Sequence, residues 1–340
     1  MNIDESSIFS AVQEYFSLHL QSLEFMPVGE GSWVYKGRDQ NHSSWLIKLS
    51  RLHTSMSTGA RVTAYLHDEV GLSFVIGSIL APDQRAIPEV NGYDLSIYPF
   101  LEGKTLSYDL LSKEHQAEIA QDLRRMHDVK LPQHLSALLP KETFDKFQGS
   151  ARNLVKKAKE YSGNDVFLER LREVVLSKWN VIERTIENGY RLSQYCKQHT
   201  YELVVCHADI HPFNILQTAT NLVMIDWDGI MLAPRERDLM FYRQEINAAN
   251  SDFQRAYGLD YQVDPYLMSY YNYEWVLQEY TDYIERQFDV QSGEEARAHA
   301  LNEFHALFGS QEELDGVVKE ALCSPLPDSS LRRHHFGMWQ

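Results

Sequence analysis

Up to about Leu101, apolar positions come in short runs separated by polar clusters and glycines. In FMPVGEGSWVYKGRDQNHSSWLIKLS the runs SWVYKG and SWLIKL flank the polar cluster RDQNHS, the pattern of a β-hairpin with a longer loop. DLSIYPF supplies a third strand. Between them, ARVTAYLHDEVG sets Val62, Tyr65 and Leu66 on one face, which predicts a helix ending near Gly71. The expected unit is a small antiparallel sheet carrying one helix.

After LEGKTL the period lengthens to that of helices. SKEHQAEIAQDLRRMHDV places Ile119, Leu123 and Met126 on one stripe, and Pro132 lies just past its end. DVFLERLREVVLSKWNVIERTIENGY repeats apolar residues at Leu168, Leu171, Val175, Ile182 and Ile186, a helix packed on one side. Pro265 opens PYLMSYYNYEWVLQEYTDYIERQF, where Leu277, Tyr280, Ile284 and Phe288 recur at helical spacing. Among these helices, NILQ and LVMID joined by TATN read as an embedded hairpin.

Composition narrows the class. A chain of 340 residues, 44% apolar and 24% charged, suits one large two-lobed unit or two modest domains. MNIDESSIFS lacks the basic and apolar regions of a secretory leader, and no unbroken apolar run is long enough to span a bilayer. The expectation is a cytoplasmic protein with no membrane segment and no obligate protein partner. Three cysteines, Cys196, Cys206 and Cys323, form neither a disulfide framework nor a metal-ligand pattern. A net charge of -16 argues against nucleic acid and anionic membranes as partners and would favour a cation, although acidic surfaces also serve solubility alone.

The candidate chemistry lies in VCHADIHPFNIL and LVMIDWD. Asp209 and Asn214 precede the first strand of the embedded hairpin and Asp226 ends its second, and a hairpin brings its outer ends together. One carboxylate can take a proton from a hydroxyl, while an amide oxygen and a second carboxylate are hard ligands suited to Mg²⁺. With a phosphate-binding cation, these suffice for phosphoryl transfer. Lys48, in a strand otherwise made of Trp45, Leu46, Ile47 and Leu49, is the candidate cation; a solvent-facing lysine on an edge strand is the alternative. GEGSWVYKG, with Gly29 and Gly31, suits a turn lying over phosphates, but Val34 stands where a full G-x-G-x-x-G would have glycine.

In order along the chain, GEGSWVY, LIKL, IYPFLEG, LRRMHD, HADIHPFN, IDWD and RDLMF resemble the aminoglycoside phosphotransferase family, which shares a protein-kinase-like fold with choline kinases. Within that family, IDWD followed by MLAPRERDLMF is most similar to the branch that acts on spectinomycin. The resemblance implies an α+β fold of two lobes. Residues 1–101 would be a nucleotide-binding lobe with an antiparallel sheet, and residues 102–340 a mainly helical catalytic lobe.

It also implies roles. Asp209 would be the catalytic base, Asn214 and Asp226 would hold Mg²⁺, and Lys48, with Ser32 in the glycine turn, would meet ATP phosphates. Pro99, Phe100 and Leu101 would form the hinge beside adenine, and His207 and Asp238 would brace the catalytic loop. The implied substrate is a small, cationic, polyhydroxylated aminocyclitol or aminoglycoside such as spectinomycin. Trp227 and Asp228 are candidate substrate contacts by proximity, as are Glu274, Glu279 and Asp282, which could equally be a solvated helix face. His211 reads as a surface or supporting residue. One departure stands out: from Ser50 to His67 there is no acid to pair with Lys48, so either Asp68 or Glu69 reaches it or phosphate alone holds it. A metabolic kinase for choline, a sugar amine or homoserine, and a nucleotide-binding protein without turnover, are the competing readings.

Overall fold

The computed structural model describes residues 4–27, 32–51, 55–81, 88–146, 148–248, 251–290, 293–309 and 316–327. Gly29 and Gly31 of the expected phosphate turn lie outside them. Contacts divide the chain into two units, residues 1–142 with 202–262, and residues 143–201 with 263–340.

The first unit opens with α1 (Glu5–Phe16), capped by Asp4, whose carboxylate accepts the Ser6 N–H. Strands β1 (Leu20–Met26), β2 (Ser32–Asp39) and β3 (Ser44–Arg51) follow, then helix α2 (Ser55–Ala64) and strands β4 (Glu89–Val90) and β5 (Tyr93–Pro99). They form an antiparallel sheet in the order β1-β2-β3-β5-β4. The predicted hairpin and third strand are thus present. α1 covers the sheet, its Ile8, Val12 and Phe16 packing with Ile47, Leu49 and Ile97. The predicted helix over α2 runs on through a π-helical turn, Tyr65–Glu69, and the chain reverses at Gly71 with φ +79°.

The sheet ends at the expected hinge. Phe100 donates its N–H to the Ser44 carbonyl at 3.0 Å, and β6 (Lys104–Thr105) then pairs with another sheet. Gly103 is required between them, because a Cβ there would stand 2.6 Å from the Gln217 carbonyl oxygen. Next come α3 (Lys113–His127), with the predicted Ile119, Leu123 and Met126 buried, and the short α4 (Gln133–Ser136).

The chain then forms α5 (Gln148–Lys159), α6 (Val166–Ser177) and α7 (Trp179–Cys196) of the second unit. The single helix expected over the last two is two helices, broken at Lys178 with φ −105° and ψ 12°. Ile182 follows Val175 by seven residues, so the apolar stripe keeps its phase across the break and conceals it.

Returning to the first unit, β7 (Val204–Cys206), β8 (Ile215–Gln217), β9 (Leu222–Met224) and β10 (Met231–Ala233) lead to α8 (Glu236–Leu239), α9 (Arg243–Asn247) and α10 (Asp252–Tyr257). The embedded hairpin is β8 with β9, pairing Ile215 with Met224. The second unit is completed by α11 (Pro265–Phe288), α12 (Gly293–Ala306) and α13 (Val317–Cys323). α11 is its central element. Asp264 caps it by accepting the N–H groups of Tyr266 and Leu267, and Leu277, Tyr280 and Ile284 are fully buried. Among the described residues no helix is long and apolar enough to cross a membrane.

Candidate active site

The short β8–β9 hairpin sets the site. Asn214 immediately precedes β8, and its main-chain carbonyl accepts the N–H of Ile225, which follows β9. Its side-chain amide donates to the Asp209 carbonyl at 2.8 Å and to the Asp209 carboxylate at 3.1 Å. Asp226 is next along the chain. It holds a left-handed conformation, φ 62° and ψ 61°, which is unusual for a residue with a side chain and turns the strand end sharply. Asp226 then reaches Lys48 of β3 at 2.7 Å. A line of direct contacts therefore joins Asp209, Asn214, the Asp226 segment and Lys48.

Lys48 is not on an edge strand, because β3 lies between β2 and β5. Its side chain is only 11% exposed and meets two carboxylates, Asp226 and Asp228, each at 2.7 Å. Burial works against its charge, but the two carboxylates outweigh that and hold its pKa above the ordinary value. Both expected alternatives for its partner are corrected. Asp68 and Glu69 are exposed, and Lys48 is paired from within the IDWD segment. Burial pushes the Asp228 carboxyl above the usual carboxylate range, with the Asp226 charge adding to this against the pull of Lys48.

Asp209 is half-exposed. Burial raises its carboxyl, but the His211 hydrogen bond and the charges of His211 and Arg237 outweigh burial and hold it below the usual range. His211 is therefore nearer the chemistry than a surface residue: its Nε2 lies 3.5 Å from the Asp209 carboxylate and 3.2 Å from the Asn214 amide.

Behind the loop is a buried bracket. Asp238, fully buried, accepts the N–H groups of His207 at 3.0 Å and Ala208 at 2.7 Å. This fixes Ala208 in a left-handed conformation, φ 70°. His207 Nδ1 accepts the Asp209 N–H, so its Nε2–H donates to the Ile225 carbonyl at 2.9 Å and ties the loop to the end of β9. A second histidine, His127 of α3, donates from Nε2 to Asp238 at 3.1 Å. Arg235 donates to the Tyr257 hydroxyl, leaving the Tyr257 proton for His127 Nδ1 at 2.8 Å. His127, Asp238 and Cys206 converge closely enough to suggest a metal, yet both Asp238 oxygens already hold backbone amides. The cluster is a brace.

Other expected residues fall as follows. Ser32 opens β2 with a buried hydroxyl that meets no partner among the described residues. Pro99, Phe100 and Leu101 are part-buried at the sheet's exit, and Lys36 lies 3.8 Å over the Phe100 ring. Trp227 is buried. It is 3% exposed, its Nε1–H donates to the Met224 carbonyl, and its ring packs 4.5 Å from His207. Glu274 is buried at 5% exposure rather than on a solvated face, while Glu279 and Asp282 are part-buried; all three belong to the second unit.

Sequence reasoning missed His127, Tyr257, Tyr108 and Phe213. Tyr108 and Phe213 are 60% and 53% exposed, with ring centroids 6.0 Å apart, and Phe213 also lies 6.0 Å from the His211 ring. An aromatic within the loop motif itself, HADIHPFN, was the available signal.

A sequence profile of choline and ethanolamine kinases matches residues 93–320, more than half of the chain. The chain belongs to the choline/ethanolamine kinase family. Members are phosphotransferases that act on an alcohol group of a small molecule, and the competing reading of a binding protein without turnover is set aside. Protein StrN of Streptomyces griseus is 24% identical over 295 residues, covering 84% of this chain and 87% of StrN. Among solved structures, spectinomycin phosphotransferase bound to ADP and spectinomycin superposes with a TM-score of 0.77 at 21% identity, covering 94% of this chain and 97% of that one. An ethanolamine kinase of Plasmodium vivax gives 0.58 at 16% identity, with 88% and 87% covered. The kinase-like α+β fold of two lobes is thereby established.

Proposed function

We propose that this family member is an ATP- and Mg²⁺-dependent O-phosphotransferase whose acceptor is a hydroxyl of a cationic aminocyclitol or aminoglycoside such as spectinomycin. The observation that carries the reading is the unbroken line of contacts from Asp209 through Asn214 and the Asp226 segment to Lys48. It sets a base beside hard-oxygen donors and a cation, the parts phosphoryl transfer needs. The lobe boundary is placed at Leu101, where the five-stranded sheet has ended.

The donor set fits a hard divalent cation. The Asn214 amide nitrogen is engaged by Asp209, which leaves Oδ1 as the ligand atom, and the Asp226 carboxylate has acceptor capacity beyond its bond to Lys48. Bound there, Mg²⁺ would neutralise charge on the phosphates. Asp209, kept ionised, takes the proton of the acceptor hydroxyl as that oxygen bonds to the γ-phosphorus. The bond from phosphorus to the bridging oxygen breaks, and its electron pair leaves with ADP. Lys48 compensates the negative charge gathering on the phosphates, with Ser32 and the hinge residues Pro99, Phe100 and Leu101 on the nucleotide.

A cationic acceptor is supported by the net charge of -16. Tyr108 and Phe213 offer rings on which a cation or sugar ring can rest. The family match favours one second reading, an amino alcohol such as choline or ethanolamine as the acceptor. An assay of ADP release with spectinomycin, several aminoglycosides, choline and ethanolamine decides between them. Turnover confined to the amino alcohols would overturn the aminocyclitol reading.

A further inference from the structure

Lys48 poses a problem that the proposed mechanism does not solve. An ammonium buried to this degree must be aimed by an anion, and in protein kinases the strand lysine takes a glutamate from the following helix. Here that helix, α2, has no carboxylate along Ser55–Ala64, and Asp68 and Glu69 in its π-helical extension are exposed. Of the two carboxylates that do hold Lys48, Asp226 is the one proposed to bind Mg²⁺. Asp228 sits two residues on, in the 3-10 turn Trp227–Gly229, with its own oxygen 2.7 Å from Lys48 Nζ.

The packing of α2 explains how the turn occupies this place. Gly59 of α2 is buried against the turn, and a Cβ on it would lie 3.0 Å from the Trp227 carbonyl oxygen and 3.2 Å from the Ile230 side chain. The backbone of α2, not a side chain from it, therefore presses on the segment that carries Asp228. We infer that Asp228 is the positioning carboxylate of Lys48, carried on the turn after Asp226 in place of an acid from α2. It keeps Lys48 paired and directed at the nucleotide when Asp226 is engaged by the metal. The assignment replaces the substrate-contact role expected of Asp228 and rests on the proposal that Lys48 serves the nucleotide.

The test is steady-state kinetics on the full chain, with ATP, acceptor and Mg²⁺ varied in turn. The variants are Lys48→Ala, Asp228→Asn, Asp228→Glu and the double variant Lys48→Ala/Asp228→Asn. Asparagine keeps the shape of aspartate and removes its charge. A hydrogen bond between charged groups is worth about a ten- to hundredfold change in binding, so Asp228→Asn should raise KM for ATP within that range. The acceptor KM should stay unchanged, Asp228→Glu should recover part of the loss, and the double variant should be no worse than Lys48→Ala alone. A normal KM for ATP in Asp228→Asn, with Lys48→Ala impaired, overturns the inference and spares the functional proposal. So does a raised acceptor KM or a raised Mg²⁺ requirement, which would make Asp228 a substrate or metal residue. If Lys48→Ala changes neither KM for ATP nor kcat, the functional proposal itself fails. Should Asp228→Asn prove insoluble, Asp228→Ser is read by the same criteria, with its melting temperature recorded alongside.

Discussion

At the scale of single residues, the site separates groups that react from groups that hold them. The proposed base Asp209 is kept ionised by His211, so the acid limb of kcat/KM against pH should lie below the ordinary carboxylate range. A base works only when deprotonated, and a lowered pKa therefore extends activity toward acid. His211→Ala should move that limb upward in pH, and an unmoved limb would detach His211 from Asp209. Asp209→Asn should cut kcat by about 10²–10⁴ while ATP still binds, as measured by nucleotide titration. Asp238→Ala leaves the N–H groups of His207 and Ala208 without an acceptor. Each buried donor so stranded costs about 1–3 kcal/mol, and a clear drop in Tm with loss of activity is expected by calorimetry.

At the scale of elements, the connection between sheet and hairpin depends on one residue without a side chain. Gly103→Val would drive a branched side chain into the Gln217 carbonyl, so β6 should lose its pairing with β8 and activity should fall. Wild-type melting and turnover in that variant would show that the chain relaxes there freely. Elements of this kind were unevenly legible from sequence. The β2–β3 hairpin, β5, α3 and α11 carry their own period and end signals, such as Pro265 after Asp264, and stand where the pattern put them. The break at Lys178 was invisible because the stripe kept its phase, and π-helical winding at Tyr65–Glu69 leaves no apolar signature. In the site, hairpin logic predicts that Asp209, Asn214 and Asp226 converge, and Lys48 was marked by the otherwise apolar strand that carries it. The Lys48–Asp228 pair was not, since 180 residues separate the two and only the fold brings them together. His127 and Tyr257 were missed for the same reason: nothing local marks His127 as a partner of Asp238, or Tyr257 as a partner of His127.

At the scale of the whole molecule, the field of a chain with net charge -16 should draw a cationic acceptor and repel a nucleotide. The Debye length falls from about 30 Å at 0.01 M salt to about 8 Å at 0.15 M. Added NaCl should therefore raise KM for the acceptor and leave that for MgATP unchanged or lower, and a parallel rise in both would remove charge steering from the account. The buried bracket has a consequence at this scale as well. All its protons run one way, from Arg235 through Tyr257 and His127 to Asp238, and the same carboxylate clamps two successive peptide groups of the reactive loop. Deuterium should therefore enter the amides of His207 and Ala208 only when the surrounding core opens, on the time scale of β7 rather than of an ordinary loop. Heat inactivation would then coincide with global melting, with no earlier stage in which the catalytic segment frays by itself.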